Sequence, residues 1–302
     1  MAMVMMSVPA LAMLPSDDVF ADSGSTYAVG LVEGTPYDYT PTFNLSNVTV
    51  ELSGSAASWL SVSGNTISGT APPVSQYGGT DSYELTIEAS TTQPTQVAYQ
   101  HIQFTVYDTL EASVMEPVVK TYVGGHVMVP VDVNYMDGVT YEAPGLPSGL
   151  NIDNNTGEIN GVPMYSGTTV IDVTVRHLAS GQTANCSVTF QVSEAITITS
   201  GSDIYMVNGM EIVTDPTSPD FYRLMCNIDG VTFEMSGAVT GVQVNSDGTF
   251  SGTPTSMGDI PVTITITETE TGQTYDFEMT MHIVSKLSFD SVPTGGIIVS
   301  GA

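Results

Sequence analysis

The side chains best suited to proton transfer or zinc ligation at neutral pH are four histidines, His101, His126, His177 and His282, and tens of residues separate each from the next. None belongs to an HExxH pair, which would set two imidazoles on one helix face. Neither a phosphate-cradling glycine loop nor a GxSxG nucleophile turn is present. Carboxylates make up 32 of the 302 residues, so pairs at glycosidase separation are expected by accident. No catalytic residue and no cofactor is assigned, and the chain is expected not to be an enzyme.

The remaining candidates belong to binding or modification. The turn carrying Asp153, Asn155 and Glu158 has the oxygen ligands of a calcium site. Trp59 is the sole tryptophan and a candidate for stacking on a sugar or for packing at a module junction, with tyrosines such as Tyr77 as further aromatic candidates. Leu60 takes the inward strand position beside it, so Trp59 is expected to point the other way. Asn44, Asn47, Asn154 and Asn185 each precede Ser or Thr by two residues and are candidate glycosylation sites. Cys186 and Cys226 are expected to stay unpaired, because they fall in different modules at non-equivalent positions. His282 alternates with Met281 and Ile283 and is expected to lie solvated on the polar face of its strand.

What must position these residues is an internal repeat. SWLSVSGNTISGTAP ends at Pro72, GLPSGLNIDNNTGEINGVP at Pro163 and GVQVNSDGTFSGTP at Pro254, so the prolines stand 91 residues apart. Gly167 and Gly258 keep that register, and so does the turn Gly181, Gln182, Thr183, which recurs as Gly272, Gln273, Thr274. After each proline comes period-two alternation: Tyr83, Leu85, Ile87, then Ile171, Val173, Val175, then Val262, Ile264, Ile266 point inward. The last strand repeats the pattern with Ile102, Phe104, Val106, with Val188, Phe190, Val192, and with Phe277, Met279, Met281, Ile283. The two strands form an antiparallel hairpin. About 90 residues of short alternating strands and Gly or Pro turns describe a two-sheet sandwich, since a lone sheet would leave one apolar face wet. The repeats also bear on calcium: the turn becomes Asn245, Ser246, Asp247, Gly248 in the third and Ser63, Gly64, Asn65 in the first, so acidic ligands fade while turn formers persist.

Composition excludes some partners. The net charge of −28 comes from only four Lys and Arg, and neither nucleic acid nor an anionic membrane is held without clustered cations. Hydrophobic residues at 41% and charged ones at 12% describe a folding chain.

The segment Gly145 to Pro163 resembles the signature of the immunoglobulin-like, cadherin-related repeats of bacterial and archaeal surface proteins. The resemblance is strong in the second repeat and looser in the first and third. It implies an extracellular spacer or adhesion role and no reaction. Cadherin-type modules hold junctional calcium with clustered acidic motifs, whereas this sequence offers Asp108 and Glu194 near junctions without such clusters.

The expected architecture is all-β, a tandem array of three immunoglobulin/cadherin-like β-sandwich domains. Residues 1–21 read as a signal peptide without the usual positive start, with cleavage after Ala12 or Ala21. Modules are expected over 22–109, 110–194 and 195–285, with 286–302 an extra strand or the stub of a fourth. The expected function is a secreted, surface-displayed adhesive or spacer stalk. The alternatives are a filament or layer subunit assembled by strand donation, and a carbohydrate-binding appendage. Surface proteins, glycans or self-assembly through the terminal strand are the partners this allows.

Overall fold

The computed structural model describes residues 26–288 apart from 94, 136 and 238. The leader expected over 1–21 and all but the first residues of the 286–302 segment lie outside them.

Alternation of apolar and polar side chains leaves each strand one face to bury, and three separate cores result. In the first module a sheet runs in the order Thr26–Val32, Thr95–Tyr107, Thr80–Thr92, Thr49–Ser53, facing a sheet of Pro36–Tyr39, Thr66–Thr70 and Leu60–Ser63. The second module repeats this with Val139–Glu142, Gly167–His177, Thr183–Ser193 and Val118–Tyr122. Val127–Val129, Ile159–Gly161 and Leu150–Ile152 face that sheet, and Ala112–Val114 pairs with Val131–Val133. The third has Asp203–Val207, Thr274–Val284, Gly258–Glu268 and Val231–Ser236, with the small pair Val242–Val244 and Phe250–Gly252. The chain is an all-β tandem array of three immunoglobulin-like sandwiches. Among the described residues the one helical turn is the 3-10 segment Ser55–Ser58.

The expected hairpins form, with Leu85 opposite Ile102, Ile171 opposite Val188 and Ile264 opposite Phe277. The first strand of each main sheet joins the last in parallel, which local patterning does not reveal: Val29 lies beside Phe104, Val119 beside Phe190 and Ile204 beside Met281. Phe104, Phe190 and Met281 are fully buried and mark equivalent points of the three cores.

The recurrent glycines have a steric cause. At Gly161 (φ +135°) and Gly252 (φ +109°) a Cβ would stand 2.1 Å from the carbonyl oxygen of Gly149 and Gly241 respectively. The paired strands therefore approach too closely for any side chain at these points of the repeat.

Candidate functional site at the module junctions

The polar side chains that sequence reasoning singled out do not converge. Asp153 Oδ1 accepts the amides of Asn155 and Thr156 at 2.8 and 3.0 Å, and these bonds hold its carboxyl below the ordinary carboxylate range. Glu158 Oε1 accepts from Asn160 Nδ2 at 2.8 Å, and Asn155 is exposed. Each acidic group is thus committed to a separate local bond. Asn44, Asn47 and Asn154 lie exposed in bends or turns, and Asn185 is exposed on its strand, accepting the Thr174 hydroxyl at 2.8 Å. Tyr77 is exposed, and its hydroxyl donates to Glu111 Oε2. Cys186 and Cys226 are free thiols, and burial pushes the Cys186 thiol up.

One orientation differs from expectation, and one residue on the expected polar face proves to be bonded there. Trp59 ends the 3-10 turn instead of continuing the strand, so its ring turns into the core. There it packs edge-on against Phe104 at 5.2 Å and Tyr83 at 6.0 Å, with Nε1 buried and unpartnered among the described residues. His282 is half-buried, bridging Asp259 Oδ1 at 2.7 Å and Asp203 Oδ1 at 3.1 Å, and it stacks on Tyr205 at 4.5 Å. The hydrogen bonds to Asp259 and Asp203 hold its imidazole above its usual range.

The polar groups that do converge sit where one module meets the next. Gln182, buried at the start of a strand, grips the first linker at both ends: Oε1 accepts the Leu110 amide at 2.9 Å and Nε2 donates to the Asp108 carbonyl at 2.8 Å. Asn134 does the same one residue on, accepting from the Glu111 amide at 2.8 Å and donating to the Thr109 carbonyl at 2.7 Å. The Tyr135 hydroxyl adds a 2.6 Å bond to the Asp108 carbonyl. Four linker backbone groups are satisfied by amide side chains in place of a strand ladder. Leu110 is thereby seated in the core of the second module.

The second junction repeats the device. Gln273 Oε1 accepts the Ile196 amide at 2.7 Å and Nε2 donates to the Glu194 carbonyl at 3.1 Å. Asn227 accepts from the Thr197 amide at 2.7 Å and donates to the Ala195 carbonyl at 3.0 Å. Ile196 enters the third core as Leu110 enters the second.

Both glutamines owe their position to the tight turn before them. Gly181 (φ +70°) and Gly272 (φ +71°) take the left-handed conformation, and their amides bond to the carbonyls of His177 and Glu268 at 2.9 and 3.0 Å. His177 and Glu268 cap equivalent turns, through Ser180 Oγ at 2.8 Å and through the Thr271 amide at 2.8 Å together with its hydroxyl. Burial pushes the His177 imidazole below its usual range. Burial alone would raise the Glu268 carboxyl, but hydrogen bonds from Thr271 and Glu270 outweigh it and hold the group low.

The first junction is braced across modules as well. Asp108 Oδ2 accepts the Gly78 amide at 2.6 Å, and Tyr77 OH donates to Glu111 Oε2 at 2.7 Å. The Tyr107 ring meets His177 edge-on at 5.7 Å. At the second junction the exposed pair Lys120 and Glu270, 3.1 Å apart, bridges the modules. Pairs of this exposure contribute little.

Residues 108–193 match the family described as "Putative Ig domain". The second module belongs to that immunoglobulin-like family. Over 181 residues, 57% of its length, the chain is 30% identical to the "Serine-rich adhesin for platelets" of Staphylococcus aureus strain MSSA476, and to that of strain MRSA252. It spans only 8% and 13% of those two relatives. In shape it aligns with three immunoglobulin domains of titin in a Glu-to-Ala variant, at TM-score 0.44 and 10% identity, covering 87% of this chain and 96% of that one. It also aligns with Drosophila N-cadherin EC1-4, at TM-score 0.30 and 12% identity, covering 87% and 73%. Families of the immunoglobulin-like adhesin type are generally non-catalytic.

Proposed function

We propose that the chain is a non-catalytic extracellular surface protein whose immunoglobulin-like modules form a spacer or adhesive stalk. The observation that carries this reading is the recurrence, at both junctions, of a glutamine and an asparagine that fix the linker backbone. A linker with its amides and carbonyls bonded loses the conformational freedom that would otherwise let neighbouring modules swing. The device needs no metal, and so it suits a chain whose junctions carry few acidic residues. Likeness to a staphylococcal adhesin over 57% of the chain supports a surface location and an adhesive setting.

The test is the distribution of distances between spin labels placed on the first and third modules. The stalk reading expects a narrow distribution, unchanged by a calcium chelator and broadened by the pair Asn134→Ala and Gln182→Ala. A broad distribution in the unaltered chain contradicts it.

A further inference from the structure

The clamp at the first junction is wired to an imidazole, and the clamp at the second is wired to a carboxylate. Ser180 Oγ accepts from Gln182 Nε2 at 3.0 Å and from the Gln182 backbone amide at 3.4 Å, and it stands 2.8 Å from His177 Nδ1. A serine hydroxyl has two lone pairs and one proton. Both lone pairs are taken by Gln182, so the proton goes to His177 Nδ1, which accepts it only as the neutral ring protonated at Nε2. The Gln182 Nε2 that bonds Ser180 also donates to the Asp108 carbonyl at 2.8 Å. One chain of hydrogen bonds thus runs from the imidazole to the linker.

The second junction has the same chain with a different end. Glu268, Thr271 and Gln273 stand 91 residues after His177, Ser180 and Gln182. Thr271 Oγ1 accepts the Gln273 backbone amide at 3.2 Å and donates to Glu268 Oε2, while Gln273 Nε2 holds the Glu194 carbonyl at 3.1 Å. His177 and Glu268 are buried alike, at 5% and 6% exposure, so the difference between them is chemical. A carboxylate goes on accepting the hydroxyl proton down to the acid range, whereas an imidazole nitrogen changes from acceptor to donor near neutrality.

Protonation at Nδ1 sets an N–H against the Ser180 hydroxyl when both Ser180 lone pairs are already used. Ser180 must then turn a lone pair to the ring and give up Gln182 Nε2. The surroundings offer the new charge no free counterion. Tyr107 of the first module meets the ring edge-on, Tyr135 stacks on it, and Gly138 lies beside Nε2. Among the acidic groups of these elements, Asp108 is bonded to the Gly78 and Thr109 amides and to Asn134 Nδ2, Glu33 is bonded to the Val74 amide, and Asp137 is exposed. Arg176, the neighbour on the same strand, is exposed on its other face.

We propose that His177 is a proton-operated release for the first linker clamp, and that the second junction, with Glu268 in its place, stays closed over the same pH range. His177 is a positioning residue, acting on the linker through Ser180 and Gln182. Acidification takes from the Gln182 carboxamide the bond that orients it, so its hold on the Leu110 amide fails and the first module swings on the second. The second and third modules stay joined. This rests on the stalk reading in one respect, that the clamp is what fixes the linker.

The experiment is amide hydrogen exchange on the full chain between about pH 7.5 and about pH 5, the range in which an imidazole titrates. Protection, the ratio of the open-chain rate to the observed rate at the same pH, is read at Leu110 and at Ile196. At Leu110 it is expected to fall by up to about tenfold per pH unit below 6.5, and at Ile196 to stay level. His177→Gln should hold Leu110 level as well. Where that variant fails to fold, Glu268→His tests the same wiring at the other junction, and it should give Ile196 the pH dependence of Leu110. Three results overturn the proposal: Leu110 protection that does not vary with pH, equal falls at both amides, or a fall at Leu110 that is as steep in His177→Gln as in the parent. Fast exchange at both amides already at about pH 7.5 overturns the clamp itself, and with it both this proposal and the stalk reading.

Discussion

The imidazole of His177 lies flat against the phenol ring of Tyr135, their centroids 4.2 Å apart and their planes 22° from parallel, beneath the carbonyl of Asp108 that Tyr135 holds. Protonation would place a charge in this buried stack, and burial accordingly holds the imidazole below its usual range. A folded-state value below the unfolded one means that protons favour the unfolded chain. The stabilising contribution is therefore full above pH 6.5, the ordinary value, and is lost as the pH falls below it. The groups facing the stack are Tyr107, Tyr135 and the carboxylates of Asp108 and Glu33. The unaltered chain should lose thermal stability between about pH 7 and pH 5 through this group, and His177→Gln should flatten that dependence. Parallel curves for the two proteins would refute the assignment.

His282 should respond in the opposite sense. Its bonds to Asp259 and Asp203 raise its proton affinity in the folded state, so its contribution is present below pH 6.5 and is lost as the pH climbs through the elevated value. Nuclear magnetic resonance titration of the imidazoles separates the two: His177 is expected to titrate below 6.5 and His282 above it. In Asp259→Asn the His282 midpoint should move down.

Gln182→Ala should destabilise the second module by about 1 to 3 kcal/mol, because it leaves the Leu110 amide and the Asp108 carbonyl without partners at a buried point. Gln96→Leu should be neutral or stabilising, since it removes an acceptor that lacks a donor among the described residues. Urea unfolding of the two variants gives the comparison. Equal losses would contradict this difference between the two glutamines.

Gly78→Ala should open the first junction while sparing the cores. Gly78 has φ +67°, and a Cβ there would stand 1.7 Å from the carbonyl oxygen of Asn134. The first module must move away, taking with it the Gly78 amide bond to Asp108. Limited proteolysis is expected to cut between Asp108 and Ala112 in this variant and not in the parent.

The hairpin cores were legible because alternation is local: Ile171, Val173 and Val175 point inward as their spacing requires. The parallel pairing of Val29 with Phe104 was not, since it joins residues 75 apart in sequence with no turn to signal it. Trp59 was misplaced because the Ser55–Ser58 turn interrupts the strand phase on which its outward orientation depended. His282 lies on the polar face that its alternation with Met281 and Ile283 requires, but its bonds were not legible because its partners, Asp203 and Asp259, come from other strands. The clamp was visible only as a marker. The recurrence of Gly, Gln and Thr fixes the repeat register, but Gln182 acts on a linker 72 residues upstream, and nothing in its own neighbourhood points there.

The central claim, that amide side chains fix the linkers, is tested most directly by hydrogen exchange at the Leu110 and Ile196 amides. The structure predicts that both are protected, that Gln182→Ala abolishes protection at Leu110 alone and that Gln273→Ala abolishes it at Ile196 alone. Exchange at both amides as fast as in an open chain, or protection that survives these substitutions, would contradict the account.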